Sequence, residues 1–168
     1  ECLNGYRLKE ELPLNLGDFK IPIGVVETIK SGTDITVVSY GSTLRVVEEA
    51  AKDLNQVGID IEIIDAQSLL PFDLNHDCVK SLAKTNKLLV VDEDVPGGAS
   101  AYLLQEILEN QNGYQHLDSK PSTLTAKDHR TAYGTDGDYF SKPSAEDIFE
   151  KIYDIMHEEN PAKFKSLY

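Results

Sequence analysis

Short runs of β-branched and aliphatic residues alternate along this chain with longer segments in which apolar residues recur at helical spacing. The short runs occupy residues 34–40, 59–65, 87–91 and 122–126, and each has the length and composition of a strand. The run at 87–91 is apolar on both faces and predicts a central strand, whereas the first half of 59–65 alternates and predicts one less buried face. Three repeats of strand and helix predict an α/β fold with helices on both faces of a parallel sheet.

The segments with helical spacing are bounded by residues that start and stop helices. Residues 1–32 lack this pattern and are predicted to form a linker or a wrapping segment, in which residues 25–30 form either one helical turn or a short edge strand. Residues 128–143 are predicted to form a long polar loop. The predicted helices are a stripe between Ser42 or Thr43 and Gly58, a helix capped by Asp73 or Asn75, residues 98–110 ended by Gly113, and residues 145–157 capped by Ser144.

The charge balance narrows the range of partners. Asp and Glu number 29 against 16 Lys and Arg, so the formal net charge is −13. Nucleic acids and anionic membrane surfaces are bound through basic residues, and we therefore predict that the chain binds neither. The acidity is explained either by solubility or by a docking face for a basic partner.

The cysteines and the start of the chain bear on its setting. Cys2 and Cys78 lie far apart, which predicts free thiols in a reduced, cytoplasmic compartment. No apolar run reaches the length of a membrane span, and we recognise no signal peptide. The first residues read as the end of an element and include no initiating Met, so we expect a fragment of a longer polypeptide.

The corner that follows the central strand combines three acids with a glycine pair. Strand-to-helix corners of parallel sheets often carry function. A phosphate at the helix N-terminus would meet Asp92, Glu93 and Asp94 at close range, and the corner lacks both the G-x-G-x-x-G pattern and a Walker lysine. We therefore interpret Gly97 and Gly98 as residues that allow a tight turn and close packing of the helix on the strand.

Neighbouring carboxylates could also hold a hard cation such as Mg²⁺. A receiver domain places acids and a lysine at its strand ends, and Lys127 follows the fourth predicted strand. The first of these strands, however, ends in Ser39 and Tyr40, where a receiver requires paired acids. An acidic interface or a solvated corner is the preferred interpretation, with a metal site and a phosphoacceptor as alternatives.

The loop at 128–143 is too rich in tyrosine and glycine for an ordinary linker, and long ordered loops in compact domains are usually functional. Tyr133, Tyr139 and Phe140 could anchor a subunit interface, which is the role we predict, with a passive loop or an active-site lid as alternatives. His129 could line a site in this loop, although the histidines lack zinc-ligand spacing and the chain has no G-x-S-x-G elbow.

Four motifs follow one another in a recognisable order. They are GTDITVVSYGS at 32–42, VEEAA at 47–51, IIDAQSLLPFD at 63–73, and VVDED with its glycine pair at 90–98. Together they resemble the transketolase C-terminal domain, and more narrowly that domain in the β part of thiamine diphosphate-dependent 2-oxo acid dehydrogenases of the pyruvate or branched-chain type. The resemblance covers about 18–156.

The resemblance implies a three-layer α/β/α domain with a mixed, mostly parallel sheet of about five strands, one of them antiparallel. Residues 1–17 would be the tail of a preceding pyrimidine-binding domain and its linker, residues 18–157 the domain itself, and residues 158–168 a C-terminal tail. This family's chain usually ends near the last helix, and the loop at 128–143 is longer than in typical members. Residues 123–125 also lack the arginine usual in the fourth strand.

The resemblance also implies a function. The parent enzyme would decarboxylate a 2-oxo acid on thiamine diphosphate and then reductively acylate the lipoyl group of a partner acyltransferase. The activating glutamate and the diphosphate–Mg²⁺ site would lie on other domains or chains, so this domain would bind no cofactor and be inactive alone. It would contact the pyrimidine-binding domain, the α part and a second β part, using interface residues Asp92, Glu93, Asp94, Gly97, Gly98, Tyr133, Tyr139 and Phe140.

A further partner implied by the resemblance is the basic peripheral subunit-binding domain of the acyltransferase. In the family an acid just before the fourth strand carries this docking, and the matching residue is Asp118. Three other interpretations stay open: the same domain of a transketolase or a deoxyxylulose phosphate synthase, a receiver-like acidic signalling module, and a small-ligand α/β enzyme that uses His129.

Overall fold

A computed structural model describes Lys9 and residues 11–131, 133–134 and 136–167. Five strands form one sheet in the order β1-β3-β2-β4-β5; β1 pairs antiparallel with β3, and the other neighbours pair in parallel. The predicted α/β class and the single antiparallel strand are confirmed, and residues 25–30 contain an edge strand rather than a helical turn. The strands are β1 Glu27–Lys30, β2 Ile35–Ser39, β3 Ile61–Asp65, β4 Leu88–Val91 and β5 Ser122–Leu124.

In the described part of the chain, five α-helices connect or follow these strands. The last begins at a capping box, because the Ser144 hydroxyl accepts from the backbone N–H of Asp147 while the Asp147 carboxylate accepts from the backbone N–H of Ser144. The predicted cap at Ser144 is thus confirmed. The helices are α1 Thr43–Gln56, α2 Asp77–Thr85, α3 Ala99–Gln105, α4 Gly137–Ser141 and α5 Ala145–Glu159.

The helix predicted over 98–110 is continuous, but it consists of an α-helical part and a π-helical part. Helix α3 passes into a π-helical turn at Glu106–Asn110, and the backbone N–H of Gln111 bonds to the carbonyl of Glu106 at 2.9 Å. A 3₁₀ turn follows at Gly113–His116. The glycine signal therefore marks the start of the next turn, a few residues beyond the end of the helix.

The core lies on both faces of the sheet. Helices α1 and α5 pack with Val37, Leu89 and Val91 on one face, whereas α2, α3 and the π-helical turn pack with Val38 and Val90 on the other. Successive strand residues point to opposite faces, so a strand in the middle of three layers must be apolar at every position. Strand β4 meets this requirement and is central, as predicted.

Strand β3 departs from its prediction because its polar residue is buried. Glu62 has its side chain inside the domain, where it forms an ion pair with Lys84 and accepts the backbone N–H of Gly32 at 3.2 Å. Burial alone would raise the pKa of Glu62, but these hydrogen bonds outweigh it and hold the pKa below the usual value. The alternation of polar and apolar residues in β3 therefore reflects a buried glutamate whose charge is neutralised by Lys84, and not a face exposed to solvent.

Gly32 is required at this point because two backbones approach closely. A Cβ atom on Gly32 would lie 2.2 Å from the carbonyl carbon of Ile61, which no side-chain movement can relieve. The first motif therefore begins with a glycine that seats the start of β2 against β3.

The C-terminal segment is anchored and does not trail away from the domain. Phe164 is 3% exposed and meets the ring of Tyr153 edge to face, and its carbonyl lies 2.7 Å from His157 Nδ1. The predicted tail at 158–168 therefore contributes a side chain to the core formed by α1 and α5.

At the other end, most of the predicted tail and linker at 1–17 lies outside the described residues. From residue 11 onward the segment before β1 contains turns and short-range hydrogen bonds, and most of its large apolar side chains are exposed, whereas Val26 is buried in the core. None of the described helices combines the length and apolar character required to cross a membrane. The exposed apolar residues are Leu12, Leu14, Leu16, Phe19, Ile21 and Ile23.

Candidate interface sites at the two edges of the sheet

The predicted site residues divide between opposite edges of the sheet. The acidic corner follows β4 and α4 follows β5, so both lie at the carboxyl edge of the parallel strands. Asp118 precedes β5 and lies at the amino edge, next to Lys87 at the start of β4. The structure thus yields two candidate sites, which we call the carboxyl-edge site and the amino-edge site.

Asp92 is the internal support of the carboxyl-edge site. It is 0% exposed, and its Oδ1 accepts the Tyr40 hydroxyl at 2.6 Å and the backbone N–H of Asp94 at 3.0 Å. Its Oδ2 accepts the backbone N–H of Ser100 at 2.8 Å and so caps the first turn of α3. Every one of these donors belongs to the domain itself, so Asp92 supports the corner from inside, and its interface role stays a prediction.

Tyr40 is a residue that the sequence interpretation considered only as a missing receiver acid. It follows β2, which pairs with β4, so its hydroxyl reaches the acid at the end of the neighbouring strand. Burial, then the hydrogen bond and charge of Asp92, raise the pKa of Tyr40 well above its usual range. The sequence offered one indication of this hydrogen bond: Tyr40 ends the predicted strand at 34–40, and Asp92 directly follows the predicted strand at 87–91.

Glu93 and Asp94 are more accessible than Asp92. Glu93 Oε2 lies 3.1 Å from the Lys142 ammonium, and Asp94 Oδ1 accepts the backbone N–H of Val95 at 2.8 Å. The carbonyl of Asp94 accepts the backbone N–H of Ala126, which ties the corner to the chain leaving β5. These two acids therefore lie at the surface of the carboxyl-edge site, and their interface role stays a prediction.

The two glycines of the corner are required for different physical reasons. Gly97 has a φ of +90°, a conformation that other residues adopt only with strain, so the turn itself requires glycine. A Cβ on Gly98 would lie 2.8 Å from Asp94 Oδ2, so this glycine makes room for the acid. The tight turn is as predicted, but the close neighbour of Gly98 is a side chain of the corner rather than the strand.

Two acids of the corner already have partners within the domain. Donors from the domain already surround Asp92, and Glu93 is paired with Lys142. Within the described residues no group of three or more His, Cys, Asp or Glu side chains is placed to hold a metal ion. Lys127, the lysine that a receiver domain would use, has its ammonium 3.7 Å from the centre of the Phe140 ring. This lysine therefore makes a cation–π contact with the loop.

The loop at 128–143 adds an aromatic surface to the carboxyl-edge site. Its short helix α4 exposes Tyr139 and Phe140, and Tyr133 is exposed nearby under the guanidinium of Arg130. The backbone N–H of Lys127 bonds to the carbonyl of Ser141, which holds the end of α4 against the chain that leaves β5. Three exposed aromatic side chains in one loop are typical of a protein interface.

A groove with a volume of about 600 Å³ separates the first turns of α1 and α5 from α4. Glu93, Tyr139 and Lys142 are among its lining residues, so predicted interface residues from the corner and from the loop share one surface. A hydrogen bond to Glu146 and its charge raise the pKa of Tyr139. His129, in contrast, is exposed; its ring lies 5.8 Å from the ring of Phe140 at a tilt of 35°, and its Nδ1 lies 2.8 Å from the carbonyl of Arg130.

The amino-edge site centres on a buried lysine that the sequence interpretation treated only as the start of a strand. Lys87 is 5% exposed, and its ammonium lies 2.9 Å from Glu159 Oε2 and 3.6 Å from Asp118 Oδ2. The backbone N–H of Asp118 also bonds to the carbonyl of Asn86 at 3.0 Å. A lysine at the first position of a predicted central strand was the only signal of this arrangement in the sequence.

The fold and these two edges define a three-layer α/β/α domain with one antiparallel edge strand. The chain belongs to the transketolase C-terminal domain family, whose model, described as "Transketolase, C-terminal domain", matches residues 24–148. The resemblance drawn from the four motifs is thereby confirmed, and the receiver-like interpretation is wrong.

Curated relatives point to one enzyme class. Proteins named pyruvate dehydrogenase E1 component subunit beta are 34% identical over 151 residues in Mesostigma viride and 36% identical over 141 residues in Acholeplasma laidlawii. These alignments cover 90% and 83% of this chain but 45% and 41% of the relatives. The chain thus spans less than half the length of the curated relatives it matches.

Solved structures resemble the fold at lower identity. A split-gene transketolase, described as an inactive beta4 tetramer, superposes with a TM-score of 0.64 at 20% identity, over 83% of this chain and 44% of that one. A 2-oxoglutarate:ferredoxin oxidoreductase from Magnetococcus marinus gives 0.52 at 20% identity, over 84% of this chain and 21% of that one. These likenesses support the architecture alone.

Proposed function

We propose that this chain is the C-terminal assembly and docking domain of the β part of a thiamine diphosphate-dependent 2-oxo acid dehydrogenase of the pyruvate type. The observation that carries the proposal is the similarity to pyruvate dehydrogenase E1 beta subunits over 90% of the chain at 34% identity. The parent enzyme oxidatively decarboxylates its 2-oxo acid and reductively acylates lipoyl groups. The domain alone is inactive, and the transketolase-like alternative is less favoured by these relatives.

Thiamine diphosphate and Mg²⁺ belong, in this proposal, to other parts of the parent enzyme. The cofactor supplies the decarboxylation chemistry there. Both oxygen atoms of Asp92 accept hydrogen bonds from the domain and Glu93 Oε2 is paired with Lys142, which supports this assignment because these atoms are already engaged. The buried free thiol of Cys78 is compatible with the cytoplasmic location that we include in the proposal.

The carboxyl-edge site meets the rest of the parent enzyme. Its partners are the preceding pyrimidine-binding domain, the α part and a second β part. Exposed Tyr133, Tyr139 and Phe140 support this role, since aromatic residues are enriched at interfaces. Glu93 and Asp94 supply polar contacts at the rim of the same surface.

The amino-edge site binds the basic peripheral subunit-binding domain of the lipoyl acyltransferase through Asp118. The Asp118 side chain is 48% exposed, and the chain has a net charge of −13, which favours the approach of a basic partner. The two proposed sites lie on opposite edges of the sheet, so assembly of the decarboxylase leaves Asp118 accessible to the acyltransferase.

Isothermal calorimetry on the full decarboxylating enzyme tests this function. The titrant is the isolated peripheral subunit-binding domain of its acyltransferase. Asp118→Lys reverses the docking charge and is expected to weaken binding about a hundredfold. Glu48→Lys makes the same charge change at an exposed position on α1 and serves as the matched control, with an expected change of less than about twofold.

Equal affinities for the wild type and Asp118→Lys would contradict the docking role. Equal weakening by Asp118→Lys and Glu48→Lys would show that only the overall charge matters. Melting curves of both variants separate a loss of binding from a loss of folding, because neither side chain is buried.

A further inference from the structure

The amino-edge site contains a positive charge where a basic partner would dock. Lys87 is 5% exposed, and its ammonium lies within 4 Å of two carboxylates that belong to distant parts of the chain. Glu159 is the last residue of α5, and Asp118 lies in the turn before β5. A buried ammonium is stable only where acids compensate for its lost hydration, so these three side chains form one unit.

Asp118 is held from two directions by consecutive residues. Its backbone N–H bonds to the carbonyl of Asn86 at 3.0 Å, and its carboxylate contacts the ammonium of Lys87 at 3.6 Å. Asn86 is itself fixed, because its side-chain amide donates to the carbonyl of His116 at 2.8 Å. The backbone hydrogen bond fixes the position of the Asp118 main chain, and the contact with Lys87 restricts the orientation of the Asp118 carboxylate.

Glu159 fixes the lysine in turn. Glu159 Oε2 lies 2.9 Å from the Lys87 ammonium, which is closer than Asp118 Oδ2 at 3.6 Å. A carboxylate at the C-terminus of a helix is electrostatically unfavourable, and the Lys87 ammonium supplies the compensating cation for Glu159 and for the end of α5. The shorter contact thus anchors the lysine to Glu159, and the anchored ammonium lies beside the Asp118 carboxylate.

We infer that Lys87 is a positioning residue for docking: its ammonium, anchored by Glu159, holds the Asp118 carboxylate in the orientation that receives the basic partner. This inference rests on the proposed docking function. The three side chains together carry one net negative charge, and both acids are partly exposed, at 48% for Asp118 and 39% for Glu159. Preorganisation of this kind increases affinity by reducing the ordering required on binding.

Loss of the Lys87 charge would change the affinity for a basic partner in opposite directions through positioning and through long-range attraction. Removal of the Lys87 charge makes the surface more negative, so long-range attraction alone predicts tighter binding of a basic partner. If Lys87 positions Asp118, its removal instead frees the carboxylate to rotate, and binding weakens. The direction of the change therefore decides between the two effects.

The experiment is calorimetric titration of the full decarboxylating enzyme with the isolated peripheral subunit-binding domain of its acyltransferase. Lys87→Met keeps the packed aliphatic chain, and we expect it to weaken binding about fivefold. Lys87→Arg keeps the charge and is expected to restore affinity to within about twofold. Lys120→Met, at an exposed position two residues after Asp118, is the control for loss of a nearby charge and is expected to tighten binding or leave it unchanged.

A double-mutant cycle separates positioning from general destabilisation. In an Asp118→Asn background, Lys87→Met is expected to cause no further weakening, because the group that Lys87 positions is already neutral and only the long-range charge effect remains. A merely structural role would weaken binding equally in both backgrounds. Glu159→Gln provides a second variant in case Lys87→Met does not fold, and we expect it to weaken binding about twofold through a less firmly held lysine.

The outcomes distinguish this inference from the proposed function. If Asp118→Asn weakens binding while Lys87→Met and Glu159→Gln leave it unchanged or tighten it, the positioning role is overturned and the docking function stands. If Asp118→Asn itself leaves the affinity unchanged, the docking function fails and the positioning role fails with it.

Discussion

The hydroxyl group of Tyr40 donates a 2.6 Å hydrogen bond to Asp92 Oδ1 and thereby joins the ends of the neighbouring strands β2 and β4. The same carboxylate caps the first turn of α3 through the backbone N–H of Ser100. One buried acid thus links two strands and a helix at the carboxyl edge. This arrangement explains why an acidic corner can be part of the scaffold of the domain rather than a ligand site.

We expect Tyr40→Phe to reduce the free energy of unfolding by about 1–3 kcal/mol, because Asp92 keeps its charge but loses a donor. The measurement is urea unfolding at pH 7. Tyr114→Phe removes a hydroxyl from an exposed tyrosine and is the matched control, with an expected change below about 0.5 kcal/mol. Equal changes in the two variants would contradict the structural role of this hydrogen bond.

The stability contributed by Tyr40 is expected to depend on pH on the alkaline side. Burial and Asp92 raise the pKa of Tyr40 in the folded state, whereas the unfolded value is about 10. The folded state therefore retains the phenolic proton that the unfolded state releases, and this contribution is complete below about pH 10 and declines as the pH rises further. Unfolding of the wild type and Tyr40→Phe at pH 8 and 10.5 should show a steeper loss in the wild type, and parallel losses would contradict it.

Lys84→Met is expected to destabilise the domain by about 2 kcal/mol at pH 7, because buried Glu62 would lose its ion-pair partner. The loss should shrink towards pH 4. In the wild type the lowered pKa of Glu62 provides stability that is present above the unfolded-state pKa of about 4.3 and disappears as the pH falls through the folded value. In the variant, burial dominates and Glu62 gains a proton more readily.

Urea unfolding of both proteins between pH 4 and 7 provides the test of this ion pair. Lys80→Met removes a more exposed lysine of the same helix and is the control, with a small effect at every pH. A difference between the wild type and Lys84→Met that stays constant with pH would contradict the assigned role of Glu62.

Gly32→Ala is expected to lower the free energy of unfolding by more than about 3 kcal/mol, since the added methyl group would meet backbone atoms of Ile61. Gly97→Ala meets no atom within 4 Å and suffers only the strain of its positive φ, so we expect a smaller loss of about 1–2 kcal/mol. Denaturant unfolding of the two variants checks the order. The reverse order would show that close approach at Gly32 is relieved by movement of the strands.

Substitution of exposed aromatic residues tests the carboxyl-edge site. Tyr139→Ala and Phe140→Ala together are expected to change the stability of the isolated domain by less than about 1 kcal/mol, because both side chains are exposed. The same pair should weaken assembly of the parent enzyme, which analytical ultracentrifugation measures. Tyr114→Ala is the control at an exposed aromatic outside the loop, and unchanged assembly in the double variant would contradict the interface role.

Sequence reasoning located the strands, the central position of β4 and the cap at Ser144. These features depend on residues close together in the chain, because periodicity reports which faces are buried and a cap bonds within a few residues. The same reasoning was wrong about the exposure of β3, since it had no means of finding that Lys84 would neutralise Glu62.

The sequence by itself determined the class of fold and, through four ordered motifs, the family. Only the tertiary structure decided which charged residues act together. Asp92 and Asp94 are two positions apart, yet one is enclosed by donors and the other lies at the surface. Lys87 joins Asp118 and Glu159 across long stretches of chain, and such a pairing depends on how strands and helices are brought together in space, which a linear pattern does not encode.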